Sequence, residues 1–245
     1  MSTIATRILH LHVPKTAGTA LRTAFQTAKG AQLQIFPHYE ERLYANAEAD
    51  AFDLFSGHYG FETASAIGGR MITVLRDPVD RFVSVYFFWR QLNEKGVERN
   101  RKTAMTVKYD LHEFAKIRDE QVLAEEFFNR TTWQMAFGSS IGHRVRWHDQ
   151  GVTDAQLLER AKANLSGFAA VGFQDDMVAF NARVSRLAGI DLAVRRINVT
   201  RDRPAIAEIP SNTRRLIESW VYLDIELLAH ARQTWQQAGD DAGLA

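Results

Sequence analysis

The 245-residue chain is 46% hydrophobic and 24% charged, a globular composition whose length suits one domain, residues 1–245, with a sizeable core. Thirty Lys and Arg against 29 Asp and Glu leave a formal charge of +1, too small a basic excess for a sequence-independent nucleic-acid binder, so no nucleic-acid partner is expected. The absence of cysteine excludes disulfides and thiolate metal sites. No window approaches the roughly 18–20 apolar residues of a membrane span, and residues 1–7 lack the apolar run of a signal peptide, so a soluble, cytoplasmic protein is expected.

Residues 7–13 (Arg-Ile-Leu-His-Leu-His-Val) read as a short buried strand stopped by Pro14. A small-residue turn follows, then residues 19–26 with apolar side chains at helical spacing, which together open a βαβ unit. Residues 32–36 and 52–56 are candidate second and third strands. Residues 70–76 form the clearest strand, and it runs through Asp77-Pro78 into a helix, because Pro suits a first helical turn. Alternation of this kind predicts an α/β fold, a P-loop-like three-layer sandwich with a central, mostly parallel sheet flanked by helices. The loops of interest then gather at the carboxyl ends of the strands.

Residues 93–150 read as a helical and polar insertion. Within it, 93–106 is a charged, exposed excursion and 108–137 is mostly helical. A helix over 154–165 has Thr153 as its candidate cap. A strand over 168–173 and a helix over 175–188 follow, and residues 211–237 are helical and amphipathic. Residues 195–203 carry four arginines against one acid, a cluster that is either a solvated face or the receptor of a small, highly charged anion.

The segment Pro14, Lys15, Thr16, Ala17, Gly18, Thr19 and Ala20 lies between a strand and a helix. A helix N-terminus exposes unpaired N–H groups and attracts anions. Small residues let the backbone wrap a phosphate, Lys15 adds a charge, and Thr16 and Thr19 add hydroxyl donors. The loop is not a Walker A motif, since its lysine comes early and no metal-binding Ser/Thr follows a terminal lysine, which weighs against a Mg-dependent kinase. Taken alone it is also compatible with a plain strand–helix turn. Arg76 ends a strand and Ser84 lies two helical turns on, about 11 Å apart along a helix axis, so both reach one phosphate only if the intervening turn folds back.

Residues 13–19 (Val-Pro-Lys-Thr-Ala-Gly-Thr) and 74–84 (Val-Leu-Arg-Asp-Pro-Val-Asp-Arg-Phe-Val-Ser) together resemble the 5′-phosphosulfate and 3′-phosphate loops of sulfotransferases dependent on 3′-phosphoadenosine 5′-phosphosulfate (PAPS). The likeness is to the carbohydrate type that includes the heparan sulfate and uronyl 2-O-sulfotransferases. It implies that the Lys15 loop holds the 5′-phosphosulfate and that Arg76 and Ser84 hold the 3′-phosphate. Ser56-Gly57-His58-Tyr59 lies where those enzymes carry His-Gly-His. His58 matches the second histidine, the proposed base, while Ser56 replaces the first. Residues 129–138 and 161–173 also look familial, and Asn198, Thr200, Arg201 and Arg203 resemble a late loop that closes over the nucleotide. The resemblance spans most of the chain, with its strong motifs in the first 90 residues.

It implies sulfuryl transfer to a hydroxyl of a glycan, with PAPS as co-substrate, 3′-phosphoadenosine 5′-phosphate (PAP) as product and no metal. His58 would act as base, with Glu40, Glu41 and Glu62 as alternatives, and Lys15 would stabilise the leaving phosphate. A small-molecule or peptide acceptor, or a non-catalytic nucleotide or glycan binder on the same scaffold, are the competing readings. His10 and His12 point to one strand face and read as buried or crevice-lining histidines in preference to a zinc pair. His143, Arg144, Arg146 and His148 either line an acceptor site or form a solvated loop, and Asp110, His112 and Glu113 read as an exposed helix face.

Overall fold

The computed structural model describes residues 7–28, 33–36, 48–138, 147–193, 200 and 202–241. Its centre is a four-stranded parallel sheet in the order β2-β1-β3-β4, with β1 at Ile8–Leu11, β2 at Leu54–Gly57, β3 at Arg70–Leu75 and β4 at Ala170–Phe173. Ile8 lies opposite Leu54 and Arg70, and Ile72 opposite Ala170. Of the expected 32–36 strand, the described part contributes an isolated bridge from Ile35 to Leu54.

The helices, in chain order, begin with α1 (Gly18–Thr27), α2 (Phe61–Ile67), α3 (Pro78–Glu94), α4 (Arg101–Lys108), α5 (Leu111–Lys116) and α6 (Gln121–Phe127). They continue with α7 (Arg130–Ala136), α8 (Asp154–Ser166), α9 (Val178–Ala188), α10 (Ser211–Glu218) and α11 (Tyr222–Asp241). Thr153 caps α8 in a capping box, as its position predicts, and Asp77 caps α3 by accepting the Asp80 N–H at 2.8 Å.

Successive strand residues face opposite layers. Ile8, Leu54, Ile72, Val74 and Ala170 pack against Leu21 and Phe25 of α1 and Phe180 and Val184 of α9. Leu9, Leu11, Phe55, Val171 and Phe173 pack with Leu157, Ala161 and Leu165 of α8 and Leu223 and Leu227 of α11. Covering both faces explains why β1, β2 and β4 are buried along their whole length and read as apolar runs. The three-layer α/β architecture expected from the sequence is the one observed.

β1 has β2 on one side and β3 on the other, so the connections leaving β1 and β3 part company at their carboxyl ends. That divergence opens a crevice, the place where ligands bind in open parallel sheets.

A second apolar cluster joins α3, α4, α5, α6 and α10 through Phe82, Met105, Phe114, Phe127 and Ile217, with Trp220 beside them. It bears on two expectations. Residues 93–106 are not wholly an exposed excursion, because α4 buries Thr103, Met105 and Thr106. The helical tail expected over 211–237 consists of two helices, parted where Trp220 and Val221 turn into this core. The starts of α7 and α11 cap each other across the sequence. Asp224 accepts from the Thr132 N–H (2.8 Å) and hydroxyl (2.7 Å), while Asn129 Oδ1 accepts the Leu223 N–H (2.8 Å). Each side chain satisfies N–H groups that a helix leaves open at its first turn.

Candidate active site

The connection from β1 to α1 is a tight loop. The Thr16 hydroxyl donates to the Val13 carbonyl at 2.7 Å and the Thr16 N–H to the same oxygen at 3.3 Å. Thr16, expected as a hydroxyl donor to a ligand, therefore spends that donor on closing the loop, while Thr19 is exposed. Lys15 and Ala17 have φ of 68° and 65°, a left-handed conformation that costs a non-glycine residue about 1–2 kcal/mol and recurs where a binding loop must curl. Ala17 is the N-cap of α1 and supplies no side-chain cap, so the leading N–H groups of the helix, through Ala20, are left to another acceptor. Gly18 is required by packing: a Cβ there would lie 2.0 Å from His12 Nε2.

The connection from β3 to α3 meets this loop directly. Arg76 Nη1 donates to the Lys15 carbonyl at 2.8 Å, and Arg76 Nε donates to Asp80 Oδ2 at 2.7 Å. Asp80 Oδ1 accepts from Arg203 Nη1, and the Ser84 hydroxyl lies 3.3 Å from that of Thr200. Lys15 Nζ sits 3.9 Å from the centre of the Phe88 ring. Residues 76, 80, 84 and 88 recur at helical i, i+4 spacing, so one stripe running onto α3 carries every one of these contacts. Arg76 precedes the N-cap Asp77 and Ser84 lies within α3, and each makes its own contacts, Arg76 with Lys15 and Asp80 and Ser84 with Thr200. Asn198 and Arg201 lie outside the described residues, as do Glu40, Glu41, His143, Arg144 and Arg146.

The electrostatics of this cluster are cationic. Burial, then the charges of Arg76 and Arg203, lower the Lys15 ammonium to about 8. Burial alone would raise the Asp80 carboxyl, but the bonds and charges of Arg203 and Arg76 outweigh it and hold it below its usual value.

Lys15 and Pro14 also border a cavity of about 410 Å³ whose other walls include His58, Phe88, Glu125 and Arg130. Residues 5–231 match the model described as the sulfotransferase family. The chain belongs to the sulfotransferase family. No curated protein matches it.

In this sulfotransferase-family chain His58 borders the cavity, and two further histidines pack behind it. His58 follows β2, and its ring packs edge-on to His12 with centroids 4.7 Å apart; His12 stacks on His10 at 5.4 Å. His10 Nδ1 lies 2.8 Å from the Ser56 hydroxyl, so the serine that replaces a histidine of the resembled motif is a partner of His10. Burial first, then Arg130 and His10, lower His58 to about 3. His10 and His12 are also held well below the usual histidine range, chiefly by burial. Among the described residues no group of three or more His, Asp or Glu is placed to hold a metal ion, and no helix is long and apolar enough to cross a membrane.

Sequence reasoning missed Asp80, Phe88, Glu126 and Arg130. The first two were signalled by their i, i+4 spacing from Arg76 and Ser84. Arg130 is fully buried, pairs with Glu126, and shares that carboxylate with Arg81, whose Nη1 lies 3.0 Å from Glu126 Oε1. The Glu126–Arg130 pair has i, i+4 spacing across the junction of α6 and α7, whereas the Arg81 partner comes from a distant helix and has no local signature. Residues 93–106 reach the cavity too, through Glu98 and Lys102. Glu62 is an exposed partner of Arg160, and His148 is an exposed partner of Asp154. His112 is less idle than expected, since its Nδ1 lies 2.9 Å from the Thr213 hydroxyl.

Proposed function

We propose that this protein transfers a sulfuryl group from PAPS to a hydroxyl of a carbohydrate. The observation that supports this best is that Lys15, embedded with Arg76 and Arg203 at the crevice between β1 and β3, shares one cavity with His58. The donor set suits a highly charged nucleotide: Lys15, Arg76 and Arg203 lie close enough to act on one another, and the Asp80 carboxylate pairs with the two arginines.

Bound PAPS would supply the sulfuryl group and carry PAP as its leaving group. Lys15 and the open N–H groups of the first turn of α1 would hold the 5′ end and offset charge growing on the leaving phosphate. Arg76, Ser84, Thr200 and Arg203, with Asn198 and Arg201, would hold the 3′-phosphate. His58 would take the proton of the acceptor hydroxyl on a ring nitrogen. Its low pKa keeps it neutral and ready to accept, and an anion entering the same cavity raises that pKa toward the working range. Sulfuryl transfer, like phosphoryl transfer, is governed by positioning and electrostatics, and a buried cleft carrying both groups supplies each. For a sugar ring, Phe88 and Trp89 offer apolar walls and Glu98, Lys102 and Glu125 offer hydrogen-bonding groups.

Incubation with radiolabelled PAPS and a panel of oligosaccharides, lipid alcohols and phenols tests the reading. Label is expected on an oligosaccharide. Label confined to phenols or lipid alcohols would move the acceptor class, and nucleotide binding without transfer to any acceptor would leave a non-catalytic binder.

A further inference from the structure

An acidic side chain sits where the proposed nucleotide site needs cations, and the chemistry above gives it no task. Asp80 lies in the first turn of α3, its N–H bonded to the capping Asp77 at 2.8 Å, so its backbone is fixed. Its two carboxylate oxygens divide between two arginines from distant parts of the chain: Oδ2 accepts from Arg76 Nε at 2.7 Å and Oδ1 from Arg203 Nη1. Neither guanidinium pairs with another carboxylate among the described residues.

A carboxylate among phosphate-binding cations weakens anion binding, because it cancels one charge and occupies donors. It also performs a task that cations cannot perform for themselves. Arg76, Arg203 and Lys15 repel one another, and Lys15 already yields part of its proton affinity to that repulsion and to burial. Arginine side chains are long and lose rotamer freedom when a ligand orders them. Asp80 joins the two guanidiniums before any ligand arrives, and Arg76 is further fixed by the Lys15 carbonyl at 2.8 Å. Two guanidiniums less one carboxylate leave one net positive charge for the 3′-phosphate dianion, so orientation of the donors counts for more there than bulk charge.

We propose that Asp80 is a positioning residue for 3′-phosphate recognition. Its carboxylate holds Arg76 and Arg203 in place, trading overall anion affinity for discrimination between nucleotides with and without a 3′-phosphate. This rests on the reading of both arginines as phosphate ligands. Asp80→Asn keeps the shape of the side chain but removes its charge. The site then attracts any anion at least as well, while the arginines lose their fixed orientation. Affinity for AMP should hold or rise, and the advantage of PAP over AMP should shrink.

Titration calorimetry of wild type, Asp80→Asn and Asp80→Glu with PAP and with AMP tests this. The ratio of the two dissociation constants should fall by about tenfold or more in Asp80→Asn, equivalent to about 1.4 kcal/mol, and recover in Asp80→Glu, which restores the carboxylate. General damage to the fold would weaken both nucleotides together and leave the ratio unmoved. A wild-type protein that binds AMP and PAP equally would remove the 3′-phosphate site itself, and with it the donor reading. A wild type that prefers PAP, with a smaller change of ratio in Asp80→Asn, would overturn the role of Asp80 alone.

Discussion

Two clusters of basic side chains stand side by side at the carboxyl end of β1, and they resolve the problem of burial in opposite ways. Lys15, Arg76 and Arg203 are largely withdrawn from water yet stay charged, with one carboxylate, Asp80, between the two arginines. His10, His12 and His58 are buried as deeply or more so, and burial holds them neutral. A guanidinium cannot give up its proton, so it must be paired or await an anion, whereas an imidazole discards its charge at little cost. The first cluster is therefore suited to hold an anion and the second to accept a proton, and one cavity gives access to both.

Crossed substitutions offer the sharpest way to break that division. His58→Ala should cut turnover by roughly 10²–10⁴-fold, the usual span for a general base, with nucleotide affinity nearly unchanged. Arg76→Ala should instead weaken PAP binding by about 1.5–3 kcal/mol, or roughly 10- to 150-fold, since a charge-assisted contact is lost. Steady-state kinetics and calorimetry on both variants check the pair. A His58→Ala enzyme with near-normal turnover would transfer the base to another group, and Glu125 on the same cavity would be the next to substitute. Unchanged PAP affinity in Arg76→Ala would dissolve the distinction from the other side.

The neutral histidines also make a stability prediction. In the unfolded chain they take up protons near pH 6.5, whereas in the fold they resist protonation, His58 down to about 3. Between those values the unfolded state binds more protons, so stability is fully present above about pH 6.5 and is lost as pH falls toward 3. Each histidine can contribute at most ~1.4 kcal/mol per pH unit. Asp224, raised by burial, works in the opposite sense, one group against three. Thermal unfolding should show a lower midpoint at pH 5 than at pH 7.5, and His58→Asn should flatten the slope. A midpoint independent of pH over that range would mean that the imidazoles are not held neutral.

The two clusters also differ in how far the sequence revealed them. The loop at Lys15 and the turn at Arg76 were legible because each sits between a short apolar run and a helix start marked by local chemistry, Pro78 at the first turn of α3 above all. Asp80 and Phe88 were available in the same stretch through i, i+4 spacing. Seeing them required treating 76, 80, 84 and 88 as one helical stripe, where the distance between its ends suggested a fold-back. His58 was found by resemblance and not by pattern. Its neighbours were hidden: Arg130 reaches the cavity because α7 is anchored at its start by Asp224, far along the chain, and no local signal announces that. The break between α10 and α11 was missed for a related reason, since Trp220 and Val221 fit an amphipathic pattern while being drawn into a different core.

The smallest expected effect lies within the cationic cluster. Lys15, lowered from 10.5 to about 8, is the only one of its three cations able to lose its proton near physiological pH. Below that value it is charged. As pH rises through it the ammonium is lost, and anion affinity should fall. A bound phosphate favours the ammonium and raises its pKa, so at pH 8 binding of PAP should draw in about half a proton. The nucleotide does not confuse this, because a phosphate monoester with its second pKa near 6 is fully ionised at pH 8. Calorimetry at pH 8 in two buffers of different ionisation enthalpy measures the uptake directly. In Arg76→Ala one of the repelling charges is gone, Lys15 recovers part of its proton affinity, and the uptake should move to higher pH. Uptake that is absent at pH 8 in the wild type would mean that Lys15 keeps an ordinary ammonium, and that the cations of this site are better neutralised than their geometry implies.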